Sequence, residues 1–225
     1  NFTTGTNAYT ITGSTVSFNG SAAQSIAGSM TFNNLTIANT SGNVALSNDI
    51  TVNGVLNFTS GNIDAGSSTV IISSSGSVSR TSGHVIGKLR RNFGTGSSVS
   101  RTYDIGTSSS YTPATVVFAT VSTAGNLTVS ASSGDHAQIG SSSCLDDAKS
   151  VNLYWTTANS GILPAVYDIT MNFNAGDIDG GANTSNFNVS CYSGGSWTTQ
   201  SVGTRTAAST QATGLTVSGD IQIAE

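Results

Sequence analysis

The side chains that could do chemistry sit in a few short stretches. Asp135-His136 stands near many serines, which is two thirds of a Ser-His-Asp hydrolase if a serine comes within reach of the imidazole. Such an enzyme usually carries its nucleophile on a Gly-x-Ser-x-Gly turn, and the sequence has none; the only other histidine is His84. A glycosidase needs two acids across a cleft, but acids are sparse here and the only glutamate is Glu225. "NAGDIDGGANTSN", Asn174 to Asn186, places Asp177, Asp179 and Asn183 in a glycine-rich loop. Oxygen ligands spaced in that way suit Ca²⁺, although the bidentate glutamate of a complete calcium loop is missing and a polar turn is the ordinary reading. Asp146 and Asp147 fit a turn cap in the same way. No cofactor and no metal is expected, and the chain is read as non-enzymatic.

Binding chemistry offers three further candidates. "HVIGKLRRNF", His84 to Phe93, holds Lys88, Arg90 and Arg91, three of the seven basic residues. On an extended strand Lys88 and Arg90 point one way and Arg91 the other. A cluster that reads an acidic ligand should converge on one face with aromatics beside it. The split therefore points to a connecting strand whose arginines pair with Asp104 or with main-chain carbonyls, a polyanion or glycan contact being the alternative. Trp155 in "VNLYWTT" and Trp197 in "GGSWTTQ" could each stack on a sugar ring, though core packing is the commoner place for tryptophan in an all-β domain. Cys144 and Cys191 are the only cysteines. In an extracellular protein they would form one disulfide, whose loop closure is worth up to about 4 kcal/mol, with two free thiols as the alternative.

The elements that must position these residues are strands. Only 8% of the 225 residues are charged, against roughly 25% in an ordinary soluble domain. Ser, Thr, Asn and Gly take their place, and the net charge is −4. That balance argues against a nucleic-acid binder, which needs clustered Lys and Arg, and no run of apolar residues is long enough for a membrane span. The richness in Ser, Thr and Asn points to an extracellular or cell-surface location, and the start at Asn1 without methionine to a processed, mature form. Tyr9 and Ile11, Val16 and Phe18, Leu35 and Ile37, Val44 and Leu46, Ile50 and Val52 alternate with small polar residues, as on strands buried on one face. Between them lie turns such as "TSGN", which occurs twice, and the one helical scrap is "LDDAKS", Leu145 to Ser150. The fold class is all-β. Residues 1–83 form a short-strand β-repeat region, with apolar pairs every 8 to 11 residues, as a β-solenoid or a sandwich meander. Residues 84–225, with longer strands and both tryptophans, form an Ig-like β-sandwich.

The order "VSFNGSAAQSIAG", "TFNNLTI", "NVALSNDITVNGVLNFTSGNI", "GHVIGKLRRNF", "TYDIGTSSSYTPATVVF", "LYWTT" and "SGDIQIAE" resembles segments of large secreted and cell-surface proteins of the Bacteroidetes and neighbouring phyla. The resemblance covers nearly the whole chain and implies a secreted structural or adhesive module, often exported by the type IX route. Asp104 departs from it, standing where a proline commonly precedes the Ile-Gly pair, and no sorting domain follows Glu225.

The functional expectation is an extracellular structural protein, a subunit or module of a filament, sheath or adhesin. Its terminal strands carry neither Lys nor Pro, the residues that usually blunt an open sheet edge. Tyr9 and Ile11 at the start, with Leu215, Val217, Ile221 and Ile223 at the end, are the candidate assembly residues, adding strands to copies of the chain or to neighbouring modules. A glycan-binding adhesive module using Trp155 or Trp197 is the alternative.

Overall fold

A computed structural model describes residues 2–3, 11–140 and 143–225. Two units divide the chain: residues 1–92 with 104–111, and residues 93–103 with 112–225. The strands of the first are β1 (Phe2–Thr3), β2 (Thr15–Phe18), β3 (Gln24–Ala27), β4 (Met30–Phe32), β5 (Asn34–Ala38), β6 (Val44–Leu46), β7 (Ile50–Val52), β8 (Val55–Ser60), β9 (Ile63–Ile72), β10 (Ser77–Arg80) and β11 (Val85–Phe93). After β12 (Gly96–Tyr103), which belongs to the second unit, β13 (Ile105–Gly106) returns to the first.

The first unit is a parallel β-solenoid with three faces. One face stacks β1, β3, β6, the start of β9, the start of β11 and β13. A second stacks β4, β7 and the later parts of β9 and β11. The third stacks β2, β5, β8 and β10. Val16, Leu35, Leu56 and Val78 lie in one column, so successive circuits take 19, 21 and 22 residues. From β2 to β9 the strands start 4 to 10 residues apart, so the spacing of 8 to 11 residues in the sequence covers only part of a circuit, and the true repeat is about twice that. Of the two architectures open from sequence, this is the solenoid. Ile26, Phe32, Leu35, Ile50, Phe58 and Val70 are fully buried inside it, each contributing roughly 1.5–3 kcal/mol by leaving water.

Polar corners fix the stacking. Asn34 Oδ1 accepts from the Val55 N–H at 2.9 Å, Asp49 Oδ1 from Thr69 at 2.8 Å and Asn62 Oδ1 from His84 at 3.0 Å, each joining one circuit to the next. The two "TSGN" turns and "TSGH", Thr81 to His84, occupy the same corner on successive circuits, since Val44, Ile63 and Val85 are in register just beyond them. The boundary expected at 83/84 therefore falls inside a circuit. Val85 pairs with Ile63 on one side and Ile105 on the other, which keeps residues 84–92 and 104–111 in the first unit.

The second unit is antiparallel. After β12 its strands are β14 (Ala114–Val121), β15 (Gly125–Ser133), β16 (Ser150–Ser160), β17 (Tyr167–Asn172), β18 (Asn188–Ser193), β19 (Ser196–Thr206), β20 (Ser209–Leu215) and β21 (Asp220–Ala224). One sheet runs β15-β16-β21-β18 and ends on the first half of β19. The other runs β12-β14-β17-β20 and ends on the second half of β19. The sheets meet through apolar side chains and through the Thr157 and Tyr167 hydroxyls, 2.9 Å apart. Phe118 is central, its ring 4.8 Å from that of Phe93 and 5.4 Å from that of Tyr167. "LDDAKS" forms a 3-10 turn over Asp147–Lys149, capped by Asp146, which accepts from the Ala148 N–H at 3.0 Å. No helix among the described residues is long and apolar enough to cross a membrane.

Two expectations about the ends and the cysteines are corrected. Ile221 and Ile223 lie on β21, which is hydrogen-bonded to β16 on one side and β18 on the other. An interior strand has no edge to offer a neighbour. Leu215 is buried at the end of β20, paired with Tyr167, and Val217 is exposed in the loop that follows. Ile11 sits in a turn, its carbonyl accepting from the Ser14 N–H and hydroxyl, and Tyr9 lies outside the described residues. The expected disulfide is absent: Cys144 and Cys191 are both free thiols. Strand alternation is the reason. Ser190 donates its hydroxyl to the Ser143 carbonyl at 2.8 Å, so the loop carrying Cys144 lies over the Ser190 face of β18. Cys191 points to the opposite, buried face.

Candidate functional site

The densest group of titratable and aromatic side chains is in the second unit, where the loop joining β15 to β16 crosses the outer face of its sheet. Register places Tyr154, Gln222, Asp220, Tyr192 and Trp197 on that face, while Trp155, Ile221 and Cys191 point inward. His136, buried, comes down from the loop into the middle of these groups. Its ring centroid is 5.3 Å from that of Tyr154, 4.7 Å from Tyr192 and 5.1 Å from Trp197. Its main-chain N–H donates to Gln222 Oε1 at 2.9 Å.

Both imidazole nitrogens have partners. The Gln138 N–H can only donate, so Nδ1, 3.2 Å away, accepts. The ring proton then sits on Nε2, which donates to Asp220 Oδ2 at 3.2 Å. Asp220 also accepts from the Thr156 hydroxyl at 2.6 Å, and the Trp197 indole N–H donates to the Gln138 carbonyl at 2.8 Å. The loop is thus pinned to four strands by one histidine and its neighbours.

Asp135 turns away from His136. It accepts from the Ser150 hydroxyl at 2.5 Å and from Gln222 Nε2 at 3.0 Å. Burial pushes its carboxyl above the usual range, with the Ser150 bond opposing and the Asp179 charge adding to the shift. Asp179 accepts from Asn152 Nδ2 at 2.8 Å and from the Ser150 N–H at 2.8 Å. Burial works against its ionised form, yet those bonds outweigh it and hold the carboxyl below its ordinary value. A Ser-His-Asp arrangement needs the hydroxyl on the imidazole; here Gln138 and Asp220 take the two ring nitrogens and Ser150 donates to the Asp135 carboxylate.

The calcium candidates are drawn apart. Asp177 accepts from the Asn174 N–H at 2.8 Å at the start of a 3-10 turn, Asp179 is bonded to β16, and Asn183 caps another turn through the Ser185 N–H at 3.1 Å. Among the described residues no group of three His, Cys, Asp or Glu could hold a metal ion. Of the two sugar-platform candidates, Trp155 is fully buried and donates to the Thr112 carbonyl at 3.2 Å, so it is a core residue. Trp197 is half-buried, with Tyr192 beside it at 5.2 Å between ring centroids.

The basic stretch is β11, which runs along two of the three faces of the solenoid. Val85 and Leu89 point into its core, and Lys88 donates to the Ser67 carbonyl at 3.2 Å. Asp104 accepts from the Tyr111 hydroxyl at 2.7 Å, and the Arg80 guanidinium lies 3.4 Å from the centre of the Tyr111 ring. His84, buried, donates through Nε2 to the Thr107 carbonyl at 2.8 Å. Burial holds the His84 imidazole below its ordinary pKa and raises the Tyr111 hydroxyl above its own, Asp104 adding to the latter. These contacts fold residues 106–111 back on the final circuit.

Sequence reasoning singled out Asp135, His136, Trp197 and Asp179 but missed Asp220, Gln222, Tyr192 and Thr156, their partners. Alternation places those four on an outer face; it cannot say which strands lie side by side. Comparison of the chain with protein-family models, with curated proteins and with solved structures returned no match.

Proposed function

We propose that the chain is a non-enzymatic building module of an extracellular or cell-surface assembly, such as a filament, a sheath or an adhesin stalk. The observation that carries this reading is where the polar side chains go. Asn34, Asp49 and Asn62 join solenoid circuits, and His136, Asp220, Asp135 and Gln222 hold one loop to one sheet. His136, Asp135, Asp179, Asp220 and the Trp197 indole each have a main-chain or side-chain partner that serves the fold. A body built in this way resists local opening, which is what a load-bearing or spacing element requires.

The second unit is read as an Ig-like β-sandwich, and secretion follows the resemblance to Bacteroidetes surface modules. With 8% charged residues, the chain suits a crowded exterior, where self-contact is tolerated or wanted. The partner is a copy of the chain or a neighbouring module. Strand donation by residues 220–224 is no part of the proposal, because β21 is an interior strand. A glycan-binding role is weaker, since Trp155 is in the core and the Trp197 indole N–H is committed to Gln138.

The test is antibody labelling of intact source cells together with negative-stain microscopy of the labelled material. Label on the outside, on fibres, sheaths or stalks, is the expected result. Label confined to the cytoplasm, or a hydrolytic activity towards glycan or peptide libraries, would overturn the proposal.

A further inference from the structure

The contacts of His136 are those of an uncharged ring. Nδ1 accepts from the Gln138 N–H at 3.2 Å, so the single ring proton is on Nε2, facing Asp220 Oδ2 at 3.2 Å. A second proton would turn Nδ1 into a donor aimed at another donor. The bond to Gln138 therefore exists only in the neutral state.

The rest of the surroundings hold the ring in either state. Among the described residues Asp220, on β21, is the charged side chain that faces the imidazole, and its hold strengthens when Nε2 belongs to a cation. Tyr154 on β16, Tyr192 on β18 and Trp197 on β19 present uncharged rings, and aromatic neighbours accommodate a cation. Asp135, the acid next to it in the loop, is turned to Ser150 and Gln222. The His136 main-chain N–H donates to Gln222 Oε1 whether or not the ring is charged. Protonation thus sets two bonds of one ring against each other, strengthening that to Asp220 and abolishing that to Gln138.

Gln138 is also what covers Trp197. Its carbonyl accepts from the indole N–H at 2.8 Å. It lies in a tight turn, closed by the Ile139 N–H on the His136 carbonyl at 2.9 Å, so a displacement of its N–H is passed to its carbonyl. The other tryptophan is independent of this loop, since Trp155 is fully buried and donates to the Thr112 carbonyl.

We propose that His136 is a proton-operated latch on Trp197. On taking up a proton the imidazole stays with Asp220 and turns Gln138 away, and the Gln138 carbonyl leaves the indole. The Trp197 ring, with Tyr192 beside it, is then uncovered on the outer face of the sheet on the acid side of the transition and covered on the other. The latch does not depend on the assembly reading above.

The experiment follows the two indole N–H resonances and the His136 ring carbons by NMR from about pH 8 to about pH 4, a span that brackets ordinary imidazole titration. Trp197→Phe assigns the resonances. The Trp197 indole is expected to move with the same midpoint as the His136 ring, while that of Trp155 stays fixed. Its exchange with water should be about tenfold faster in acid, for the loss of one hydrogen bond. His136→Gln cannot titrate and should leave the Trp197 indole independent of pH, which separates the latch from protonation of Asp135. Asp220→Asn should lower the midpoint by about one pH unit, because the charge that favours the imidazolium is gone. A Trp197 indole that stays fixed while the His136 ring titrates, or that still moves in His136→Gln, overturns the latch. So does a midpoint unmoved in Asp220→Asn, or a ring that stays neutral until the chain unfolds. The wild-type titration needs no variant, so a substitution that fails to fold leaves the test intact.

Discussion

Gly83 stands so close to Gly61 that a Cβ built on it would overlap the Gly61 carbonyl oxygen. Gly61 in turn stands over Asn39, whose carbonyl its own Cβ would strike. Both glycines have positive φ, +77° at Gly61 and +99° at Gly83. The corner they share is stacked main chain on main chain, with no room for a side chain. Gly83→Ala should therefore destabilise the solenoid by about 2–4 kcal/mol, through left-handed strain and the clash together. Gly181, at φ +88° in the second unit, has nothing within 4 Å of its added Cβ, so Gly181→Ala should show the strain alone, about 1 kcal/mol. Urea melts of the three proteins check the difference.

Asn39 is the polar counterpart at that corner. It is fully buried, donates to the Ala22 carbonyl at 2.6 Å and to Gln24 Oε1 at 3.0 Å, and accepts from the Ser41 N–H at 3.1 Å. Asn39→Ala takes the partner from the Ala22 carbonyl and the Ser41 N–H, while Gln24 Oε1 keeps the Gly20 N–H, and should cost about 2–4 kcal/mol. Asn39→Asp keeps the shape but presents acceptors to acceptors, and should be at least as damaging at pH 7. Thermal unfolding of both variants beside the wild type measures it.

Alternation in the sequence was enough for the all-β class and for the inward set from Phe18 to Val52, because a strand buried on one face repeats its apolar residues at every second position. The circuit length was harder to read. Three short strands per circuit produce a dense run of apolar pairs, and only the recurrence of "TSG" at Thr40, Thr59 and Thr81 marks the corner that closes each one. The domain boundary was misplaced because Gly87, at φ +110°, turns β11 around a corner within what looks like one continuous strand. The site was legible in its pieces and not in its pairing. His136 meets Asp220 across 84 residues, and Cys191 faces away from Cys144 because Ser190 occupies the face between them, a matter of one position in register.

The thiols should report that register directly. Cys191 is buried in the sheet interior, and burial, with the Asp220 charge, raises its thiol to about 11. Cys144 is exposed. Ellman's reagent at pH 8 should titrate one thiol quickly in the native protein and both after unfolding in guanidinium. Reducing agent should leave the melting temperature unchanged, since no disulfide links the two. Slow reaction of both, or a loss of stability on reduction, would show the loop to lie elsewhere.

His84 gives the first unit a pH dependence whose sign follows from its surroundings. Burial lowers its pKa and the Arg80 charge lowers it further, while the Thr107 carbonyl and Asp104 pull the other way without prevailing. The unfolded chain then binds more protons than the folded one between the folded pKa and the ordinary value of 6.5. Stability conferred by the neutral, buried imidazole is complete above 6.5 and falls as pH drops through that window. His84→Asn restores the "TSGN" form found at Asn43 and Asn62 and cannot titrate. It should lose about 1 kcal/mol at pH 7.5 with the bond to Thr107, and should show a flatter decline than the wild type between pH 6.5 and 5. Urea midpoints across that range, followed by hydrogen exchange of the Val85 and Ile105 amides, compare the two slopes. Equal slopes would mean that burial does not lower the His84 pKa in the folded chain.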